Sequence, residues 1–407
     1  MNGTKLRILF LLTQDLESPS GLGRYWPLAR ELALRGHQVR IVALHSNYAA
    51  LGEREIEKDG VRIEYIAPMH VQKQGNQKQY YSSFRLITVA LRATWALTRA
   101  ALTSPVDIIQ VCKPHPMNSI AGLLVQWLRG GLLCVDCDDY EAGSNRFGSG
   151  WQRRVVAFFE KQIPRVAQAV TTNTQFMREK LISWGCLAHR IYYLSNGVDP
   201  VRFRLPNSSE VSAVREKLGI RNIQVVAYLG SLSLPSHPVD ILVEAFKILH
   251  EQLPTTGLLL IGGGEDVDNL IGHVKRLGLS QGVIFTGRVP PEKMPLYYRL
   301  ADVTVDPVLD NEAARGRSPL KMFESWIMGV PFITAAVGER VGLAGEPPAC
   351  LMFHPAGDAR ALAASLLRVL NSSELAVTLR HRGLEQVKDF TWDLLASNLE
   401  KIYLRLI

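Results

Sequence analysis

Cysteine is scarce in this sequence, with five residues in 407. An odd number of widely spaced cysteines argues against a scaffold held by disulfides and fits buried thiols in a reducing compartment. Cys134 and Cys137 have the C-x-x-C spacing of a metal or redox pair, but no second cysteine or histidine pair completes a zinc site. They also end an apolar run that is typical of a strand. We therefore expect no bound metal, with a redox pair as the alternative.

Long apolar runs are lacking as well. The run at residues 8–12 is too short for a secretion signal or a membrane span. The composition, 47% hydrophobic and 21% charged, is that of an ordinary globular protein. We expect a cytoplasmic protein, and its length predicts two or three domains.

Acidic residues are under-represented in one half of the chain. Residues 1–200 hold 24 Lys and Arg against 16 Asp and Glu, whereas the remainder holds 22 of each, so the net charge of +8 lies in the first half. No pattern of a nucleic-acid-binding domain accompanies this excess. The basic half instead suggests an anionic acceptor or a membrane surface as its partner.

Residues 78–104 contain no acidic residue, and their apolar periodicity predicts a helix. Its basic and its large apolar side chains fall on different faces: Arg85, Arg92 and Arg99 on one, and Phe84, Ile87, Leu91 and Trp95 on another. Such a helix either packs in the core with a solvated basic stripe or rests peripherally on the inner face of an anionic membrane.

Short apolar runs alternate with helical patterns along most of the chain, which predicts parallel α/β layering. The predicted strands are 7–12, 38–44, 61–66, 107–112, 132–137, 169–172, 191–194, 224–229, 257–261, 283–286, 303–307 and 331–334. A polar, helix-breaking stretch at 195–210 separates two doubly wound units. Open sheets of this kind bind ligands at the carboxyl ends of their strands, so the loops that follow strands are the candidate sites.

Two glycine-rich turns follow predicted strands. Gly21 and Gly23 precede a helix whose amino end can approach a phosphate, but Trp26 stands where a dinucleotide fingerprint needs a third glycine. A purely structural turn is the alternative there. The second turn, 262–264, is followed by two acidic residues that would repel a phosphate, so it closes around a neighbouring ligand instead.

The segment 310–331 carries the densest set of candidate residues. Ser318 is a good helix N-cap, Pro319 suits the first helical position, and Lys321 lies in the first turn. A lysine there opposes the helix dipole, and an anionic ligand bound by Arg315, Arg317 and Lys321 would remove the conflict. Glu324 lies further along the helix, where a sugar diol is a plausible donor to its carboxylate.

In the order of its loops the chain resembles retaining glycosyltransferases of the GT-B fold, close to glycosyltransferase family 4. The matching stretches are Gly21-Leu22-Gly23, Asn196-Gly197-Val198-Asp199, Gly230-Ser231-Leu232-Ser233, residues 239–246, Phe285-Thr286-Gly287-Arg288-Val289, and Ser318 through Glu324 to Gly329-Val330-Pro331. The resemblance implies α/β architecture with two Rossmann-like doubly wound domains facing across a cleft. These would be 1–195 for the acceptor and 196–385 for the donor, with a C-terminal helix in 386–407 packing back on the first.

The resemblance also implies a reaction. A sugar would pass from a UDP- or GDP-sugar to a glycan or lipid-linked acceptor, with retained configuration and without a metal or cofactor, in cell-envelope or exopolysaccharide synthesis. The implied donor-binding residues are Gly21, Gly23, Gly230, Ser231, Arg288, Arg317, Ser318, Pro319, Leu320, Lys321 and Glu324. Asp138, Asp139 and Lys321 are the candidate catalytic residues; a solvated loop is the alternative for the acidic segment 136–141 that contains the two aspartates.

Three positions depart from the family pattern. Gly316 replaces the first Glu of the E-x7-E motif, and Ser231 and His237 replace the Arg and Lys that usually clamp a diphosphate. We expect Arg315, Arg317 or Lys321 to take over the clamp, since neutral Ser cannot. The departures leave open a nucleotide-sugar epimerase or a catalytically impaired binding partner of the same fold.

Overall fold

The computed structural model describes residues 4–74 and 77–407, which form two units with a sheet each. The first unit comprises Met1–Asn196, Gly316–Ser318 and Trp392–Ile407, and the second comprises Gly197–Arg315 and Pro319–Thr391. The sequence places the borders after residues 195 and 385 and gives no sign that 316–318 belong with the first unit.

The first unit contains an eight-stranded sheet and a small separate hairpin. Its strands are β1 (Arg7–Leu12), β2 (Gln38–His45), β3 (Glu55–Lys58), β4 (Val61–Pro68), β5 (Val71–Gln74), β6 (Gln77–Tyr80), β7 (Ile108–Cys112), β8 (Leu132–Cys137), β9 (Ala169–Thr172) and β10 (Ile191–Tyr193). The sheet order is β10-β9-β8-β7-β1-β2-β4-β3, parallel except for β3 against β4, and β5 pairs only with β6. The order reverses between β7 and β1, which is where such sheets bind ligands.

Helices cover both sides of this sheet. They are α1 (Trp26–Leu34), α2 (Ser83–Ala101), α3 (Pro116–Arg129), α4 (Glu141–Ser144), α5 (Gly150–Val166) and α6 (Gln175–Ser183). One hydrophobic cluster joins α2, α3, α5 and α6 to the alternate strand residues Leu9, Leu11, Val111 and Val135. Burial on both sides is why the strand sequences are continuous apolar runs.

The second unit has a six-stranded parallel sheet. Its strands are β11 (Gln224–Leu229), β12 (Thr256–Ile261), β13 (Val283–Gly287), β14 (Val303–Asp306), β15 (Phe332–Ala335) and β16 (Leu351–Phe353), in the order β13-β12-β11-β14-β15-β16. Its helices are α7 (Ser208–Lys217), α8 (Val239–Gln252), α9 (Val267–Arg276), α10 (Met294–Tyr298), α11 (Glu312–Arg315), α12 (Leu320–Ile327), α13 (Glu339–Ala344), α14 (Ala359–Asn371) and α15 (Ser373–Gln386). Here the order reverses between β11 and β14.

The chain ends in α16 (Trp392–Leu404), which belongs to the first unit. Polar contacts hold it there. The Tyr403 hydroxyl donates to Gln110 Oε1 at 2.7 Å, and His37 Nε2 lies 2.9 Å from Glu400 Oε1. Its apolar residues Leu395 and Leu399 are buried.

The predicted fold class, two Rossmann-like doubly wound α/β domains, is confirmed. The prediction of one helix over 78–104 is wrong at its start, because residues up to Tyr80 form β6 and α2 begins at Ser83. The strands β3 and β16 and the hairpin of β5 and β6 were not predicted. These strands have three or four residues each, too few to show a periodicity.

Within the described residues no single helix has both the length and the apolar character that crossing a bilayer requires. One bent pair, Ala359–Asn371 with Ser373–Phe390, meets the requirement by length and composition alone, with 98° between its two halves.

Candidate functional site

The second unit gathers charged side chains at the carboxyl end of β14. Asp306, the last residue of that strand, is buried and accepts from two cations. Lys321 Nζ donates to its Oδ1 at 2.8 Å, and Arg340 donates to its Oδ2 from Nε and Nη2 at 3.0 and 2.7 Å. Burial opposes ionisation of Asp306, but the two cations outweigh it and hold its pKa well below the ordinary value. This set of three residues, the Asp306 cluster, carries one net positive charge.

Lys321 lies between Asp306 and the aromatic ring of Tyr228. Its Nζ is 4.5 Å from the ring centroid and 3.4 Å from the hydroxyl. Burial lowers the pKa of Lys321, but Asp306 and Tyr228 more than offset this, so it is raised overall. Gly230 keeps the neighbouring loop close: its φ is +151°, and an added Cβ would lie 3.1 Å from the Tyr228 hydroxyl. A cation, an aromatic ring and a glycine loop therefore meet at the β11–β14 reversal.

Glu324 lies one turn beyond Lys321 on α12, and a hydroxyl already orients its carboxylate. Tyr298 donates to Glu324 Oε2 at 2.6 Å from a buried position. Burial and the neighbouring carboxylate raise the pKa of Tyr298 well above its ordinary value, so it stays a donor. The predicted sugar-binding carboxylate is therefore held in place by a protein group.

The predicted start of α12 is wrong by one residue. The N-cap is Pro319 rather than Ser318, and Pro319 makes no side-chain cap bond. Ser318 Oγ is instead buried without a hydrogen-bond partner among the described residues, while its carbonyl accepts from Asn196 Nδ2 at 2.9 Å. Asp306 pairs with Lys321 and thereby offsets the unfavourable interaction of this lysine with the helix dipole. The dipole alone therefore does not require an anionic ligand.

The expected grouping of Arg315, Arg317 and Lys321 is not seen. Arg315 is about half exposed and forms a bidentate pair with Asp310 at 2.6 and 2.9 Å. Arg317 belongs to the first unit, where its Nε lies 3.8 Å from Asp139 Oδ1. Lys321 alone of the three lies in the Asp306 cluster.

Two other predicted donor-binding residues, Ser231 and Arg288, lie on loops of the second unit, as does His237 at the position of the family's clamp lysine. The Ser231 carbonyl accepts from the Tyr228 hydroxyl at 2.8 Å, and the His237 ring lies 6.4 Å from the Tyr228 ring. Arg288 is exposed directly after β13. Ser231 and His237 thus flank the aromatic ring against which Lys321 lies.

The first unit has a contrasting cluster, in which one lysine meets three carboxylates. Lys113, directly after β7, places its Nζ 3.2 Å from Asp138, 2.7 Å from Asp139 and 2.5 Å from Glu141. His115 Nε2 lies 3.0 Å from Glu141 Oε2. Lys113 has a φ of +61°, a backbone conformation that a lysine rarely adopts. We call these five residues the Lys113 cluster.

The acids of this cluster titrate differently. Burial raises the pKa of Asp138 to about 7, with Asp139 and Asp136 adding to the rise against Lys113. Glu141 is also buried, but Lys113 and His115 more than compensate and hold its pKa well below its ordinary value. Asp138 also accepts from the Tyr25 hydroxyl at 3.1 Å. The alternative of a solvated loop is wrong for Asp138 and Glu141, because Lys113 makes their burial tolerable.

Glu160 lies beside this cluster and accepts from the backbone N–H groups of Glu141 and Ala142 at 2.7 and 3.2 Å. Burial and Glu141 raise its pKa to about 8. A folded-state pKa above the unfolded value gives stability that is complete below about pH 4.5 and is lost as pH rises through about 8.

We expect Glu160→Gln to remove this loss. Wild-type stability should fall relative to the variant by roughly 2–5 kcal/mol between pH 5 and pH 8. Urea unfolding followed by circular dichroism at both pH values measures the change. A constant difference between the two proteins would contradict the raised pKa.

The first glycine turn has a structural explanation. Residues Gly21–Tyr25, Gly23 among them, form one π-type turn ahead of α1. A Cβ on Gly21 would lie 2.2 Å from the Asp15 carbonyl oxygen, and its N–H donates to Ser18 Oγ at 3.2 Å. The turn therefore needs glycine at position 21 for its own packing, whatever ligand it meets.

Arg24 in this turn donates hydrogen bonds to four other residues of the first unit. It is buried and donates twice to Asp136, at 2.8 and 2.7 Å. It also donates to the Leu194 and Ser195 carbonyls and to Asn196 Oδ1. Arg24 thereby fixes the glycine turn to Asp136 and to the segment 194–196.

The five cysteines are free and buried. Burial raises the pKa of the Cys134 thiol to about 12, which disfavours the thiolate that redox exchange requires. The alternative of a redox pair gains no support from the structure.

Two family models match the chain. The Glycosyl transferase 4-like domain matches residues 20–197, and Glycosyl transferases group 1 matches residues 223–372. The chain belongs to this glycosyltransferase family. The first match ends and the second begins near the border between the units, so each unit carries one of the two domains.

Curated relatives match over part of their length. A GDP-mannose-dependent alpha-(1-6)-phosphatidylinositol monomannoside mannosyltransferase of Mycolicibacterium smegmatis is 29% identical over 46% of this chain and 50% of its own. Its counterpart in Mycobacterium tuberculosis strain H37Rv is 27% identical over 61% of this chain and 65% of its own. The chain thus spans half to about two thirds of the length of these two relatives.

Solved structures match over nearly the whole chain. Sucrose-phosphate synthase from Thermosynechococcus elongatus has a TM-score of 0.77 at 19% identity, covering 98% of this chain and 99% of that one. Anabaena Alr3699/HepE in complex with UDP-glucose has a TM-score of 0.73 at 18% identity, covering 97% and 98%. At these identities the likeness shows the fold, which is the GT-B fold of glycosyltransferases.

Four residues that contact the site side chains had no role assigned from the sequence: Lys113 in the Lys113 cluster, Asp306 and Arg340 in the Asp306 cluster, and Tyr298 beside Glu324. Asp306 and Lys113 carried a usable signal, since the first ends an apolar strand and the second directly follows one. Arg340 and Tyr298 carried none, because each lies on a helix remote in sequence from the carboxylate that it contacts.

Proposed function

We propose that this protein is a retaining glycosyltransferase that moves a sugar from a UDP- or GDP-sugar to a glycan or lipid-linked acceptor. The observation that carries the proposal is the Asp306 cluster, which holds a net positive charge at the strand ends of the unit that the group 1 model matches. A fixed cation in a water-poor site stabilises the charge on a departing nucleoside diphosphate.

The donor is assigned mainly to the second unit. Lys321 faces the diphosphate together with the backbone of 318–320, and Gly230 and Ser231 let the nucleotide approach. Glu324, oriented by Tyr298, accepts from the ribose hydroxyls, and Arg288 lies beside the base. The choice between uridine and guanosine stays open, as HepE is described with UDP-glucose and the mycobacterial relatives as GDP-mannose-dependent.

The Lys113 cluster is assigned to the acceptor and the transferred sugar. Asp138 and Asp139 are catalytic candidates because carboxylates accept from sugar hydroxyls, and a pKa of about 7 allows Asp138 to exchange a proton near neutrality. We further propose that the reaction needs no metal. The three carboxylates lie close enough to share an ion, but the Lys113 ammonium contacts all of them.

Catalytic competence is part of the proposal despite Gly316, Ser231 and His237. Lys321 supplies a cation on the side of Tyr228 where a clamp is expected, and Arg340 balances the carboxylate that would otherwise neutralise it. The second candidate is a catalytically impaired partner that binds a nucleotide sugar. The neutral residues at the three family positions favour that alternative.

We place the reaction at the inner face of a membrane, in cell-envelope or exopolysaccharide synthesis. A peripheral contact through residues 78–104 belongs to this proposal. The helix α2 within that range exposes both its arginines and its large apolar residues.

A donor screen tests the transferase proposal. We expect GDP-mannose or UDP-glucose to raise the melting temperature of the wild type, and Glu324→Ala and Lys321→Ala to weaken binding about 10- to 100-fold, as charged hydrogen bonds of roughly 1.5–3 kcal/mol are lost. Isothermal titration calorimetry measures the affinities, and release of the nucleoside diphosphate measures turnover.

The matched control is Glu251→Ala, which removes an exposed carboxylate near the end of α8. It should bind the donor like the wild type. Donor binding without turnover on any acceptor would favour the impaired partner. No binding of any nucleotide sugar would refute both candidates.

A further inference from the structure

Three neighbouring helices of the first unit expose large apolar side chains on one side of the sheet. On α2 the exposed residues include Phe84 and Trp95, at 84% and 69% exposure; on α3 they include Trp127, at 80%. The full set, which we call the apolar face, is Phe84, Ile87, Leu91 and Trp95 on α2, Ile120, Leu124, Trp127 and Leu128 on α3, and Trp151, Val155 and Phe158 on α5. Monomeric proteins rarely leave so many large apolar residues together in water.

These residues are not misplaced core positions. The small residues Ala93 and Ala101, together with Leu97, already pack α2 against the sheet. Ala121 and Val125 do the same for α3. The helices α2 and α3 therefore each have an inner stripe that builds the core and an outer stripe that is more than a third exposed.

The charge of the same three helices is almost all of one sign. Their basic residues are all exposed: Arg85, Arg92 and Arg99 on α2, Arg129 on α3, and Arg153, Arg154, Lys161 and Arg165 on α5. Their single acidic residue, Glu160, is buried and accepts from backbone N–H groups. On α2, Arg85 and Arg92 directly follow Phe84 and Leu91 of the apolar face, so the basic stripe borders the apolar one.

We propose that the apolar face with its basic border docks on the surface of an anionic phospholipid bilayer. Tryptophan side chains suit the boundary between headgroups and acyl chains, and three of them lie on this face. Arginines beside them reach lipid phosphates, and the attraction grows with the number of basic residues. An isologous contact with a second copy would instead bring eight cations against eight cations.

The docking proposal rests on the proposed function and adds the chemistry of the membrane surface. Its evidence is the exposure and charge of these helices, not glycosyl transfer, so the docking proposal and the transferase proposal can fail separately. An inactive protein would still bind vesicles, and an active transferase with a soluble acceptor would not need to. Vesicle binding is therefore measured on the full chain without donor or acceptor.

Co-sedimentation with vesicles tests the charge. We expect the wild type to bind equimolar phosphatidylglycerol and phosphatidylcholine and to bind phosphatidylcholine alone far more weakly. Replacing Arg85, Arg92 and Arg99 together by Glu should weaken partition into the anionic vesicles about a hundredfold, because each basic residue contributes about a factor of five. A control with the same net charge reverses three exposed cations elsewhere, Arg221, Arg360 and Lys401, and should bind like the wild type.

A second pair of variants tests the apolar anchors. Replacing Trp95 and Trp127 by Ser should weaken co-sedimentation with the anionic vesicles, whereas Leu34→Ser, at an exposed position on α1, should not. Both sites are exposed, so the variants should fold.

Three results would overturn the proposal. The first is that the wild type does not bind anionic vesicles. The second is that the variant with Arg85, Arg92 and Arg99 replaced by Glu binds them as tightly as its control. The third is a concentration-dependent dimer that Trp95→Ser and Trp127→Ser dissolve, because a second copy would then cover the face.

Discussion

Replacing Asp306 by Ala should destabilise the protein by about 3–5 kcal/mol, the cost of removing one partner from a buried ion pair. The variant would leave Arg340, which is buried, and Lys321, whose side chain is 12% exposed, in the same site without a carboxylate. Two like charges repel each other there, and most of the surface of both side chains is out of contact with water. Urea unfolding followed by circular dichroism should show the midpoint moving to much lower denaturant.

Asp310→Ala is the matched control, since Asp310 also accepts twice from an arginine but is about half exposed. We expect a change of about 0.5 kcal/mol or less, because exposed ion pairs contribute little. The double variant Asp306→Ala with Lys321→Met should recover part of the lost stability by removing one stranded cation. Equal effects of Asp306→Ala and Asp310→Ala would contradict the role given to burial.

Strand positions were largely predictable because each central strand is buried on both sides. Residues 7–12, 132–137, 169–172 and 224–229 are predicted and observed with the same bounds. Helix ends were harder to predict, as with α2 and α12, since a cap depends on one or two residues. The exposure of the aromatic residues on α2 was not predictable. Periodicity shows that the helix has an apolar stripe and a basic stripe, but it does not show which stripe faces the core.

Residues of the site were predictable only where they lie close together in the sequence. Lys321 and Glu324 lie on one helix whose sequence matches a family pattern, so their proximity follows from helix geometry. The partners that set their charge and orientation, Asp306, Arg340 and Tyr298, come from other elements of the second unit. Sequence order alone cannot show such contacts. It also did not show that Arg315, which was expected at the site, pairs instead with the nearby Asp310.

Replacing Lys113 by Met should destabilise the protein by about 3–5 kcal/mol at pH 7, and the loss should depend on pH. In the wild type the pKa of Glu141 is held below its ordinary value, so its contribution is present above about pH 4.5 and is lost as pH falls. Without Lys113, burial raises the pKa of Asp138 and Glu141 above their unfolded values, so the variant is most stable in acid and loses stability as pH rises. The difference between the two proteins should therefore widen from pH 4 to pH 8.

Melting temperatures across that pH range measure the difference. Lys388→Met, which removes an exposed lysine paired with Glu385, is the control and should show a small difference that does not change with pH. Ca²⁺ favours carboxylate oxygens and should raise the melting temperature of Lys113→Met but not of the wild type, because the ammonium then no longer lies among Asp138, Asp139 and Glu141. A pH-independent loss in Lys113→Met would show that its ammonium does not compensate these three carboxylates.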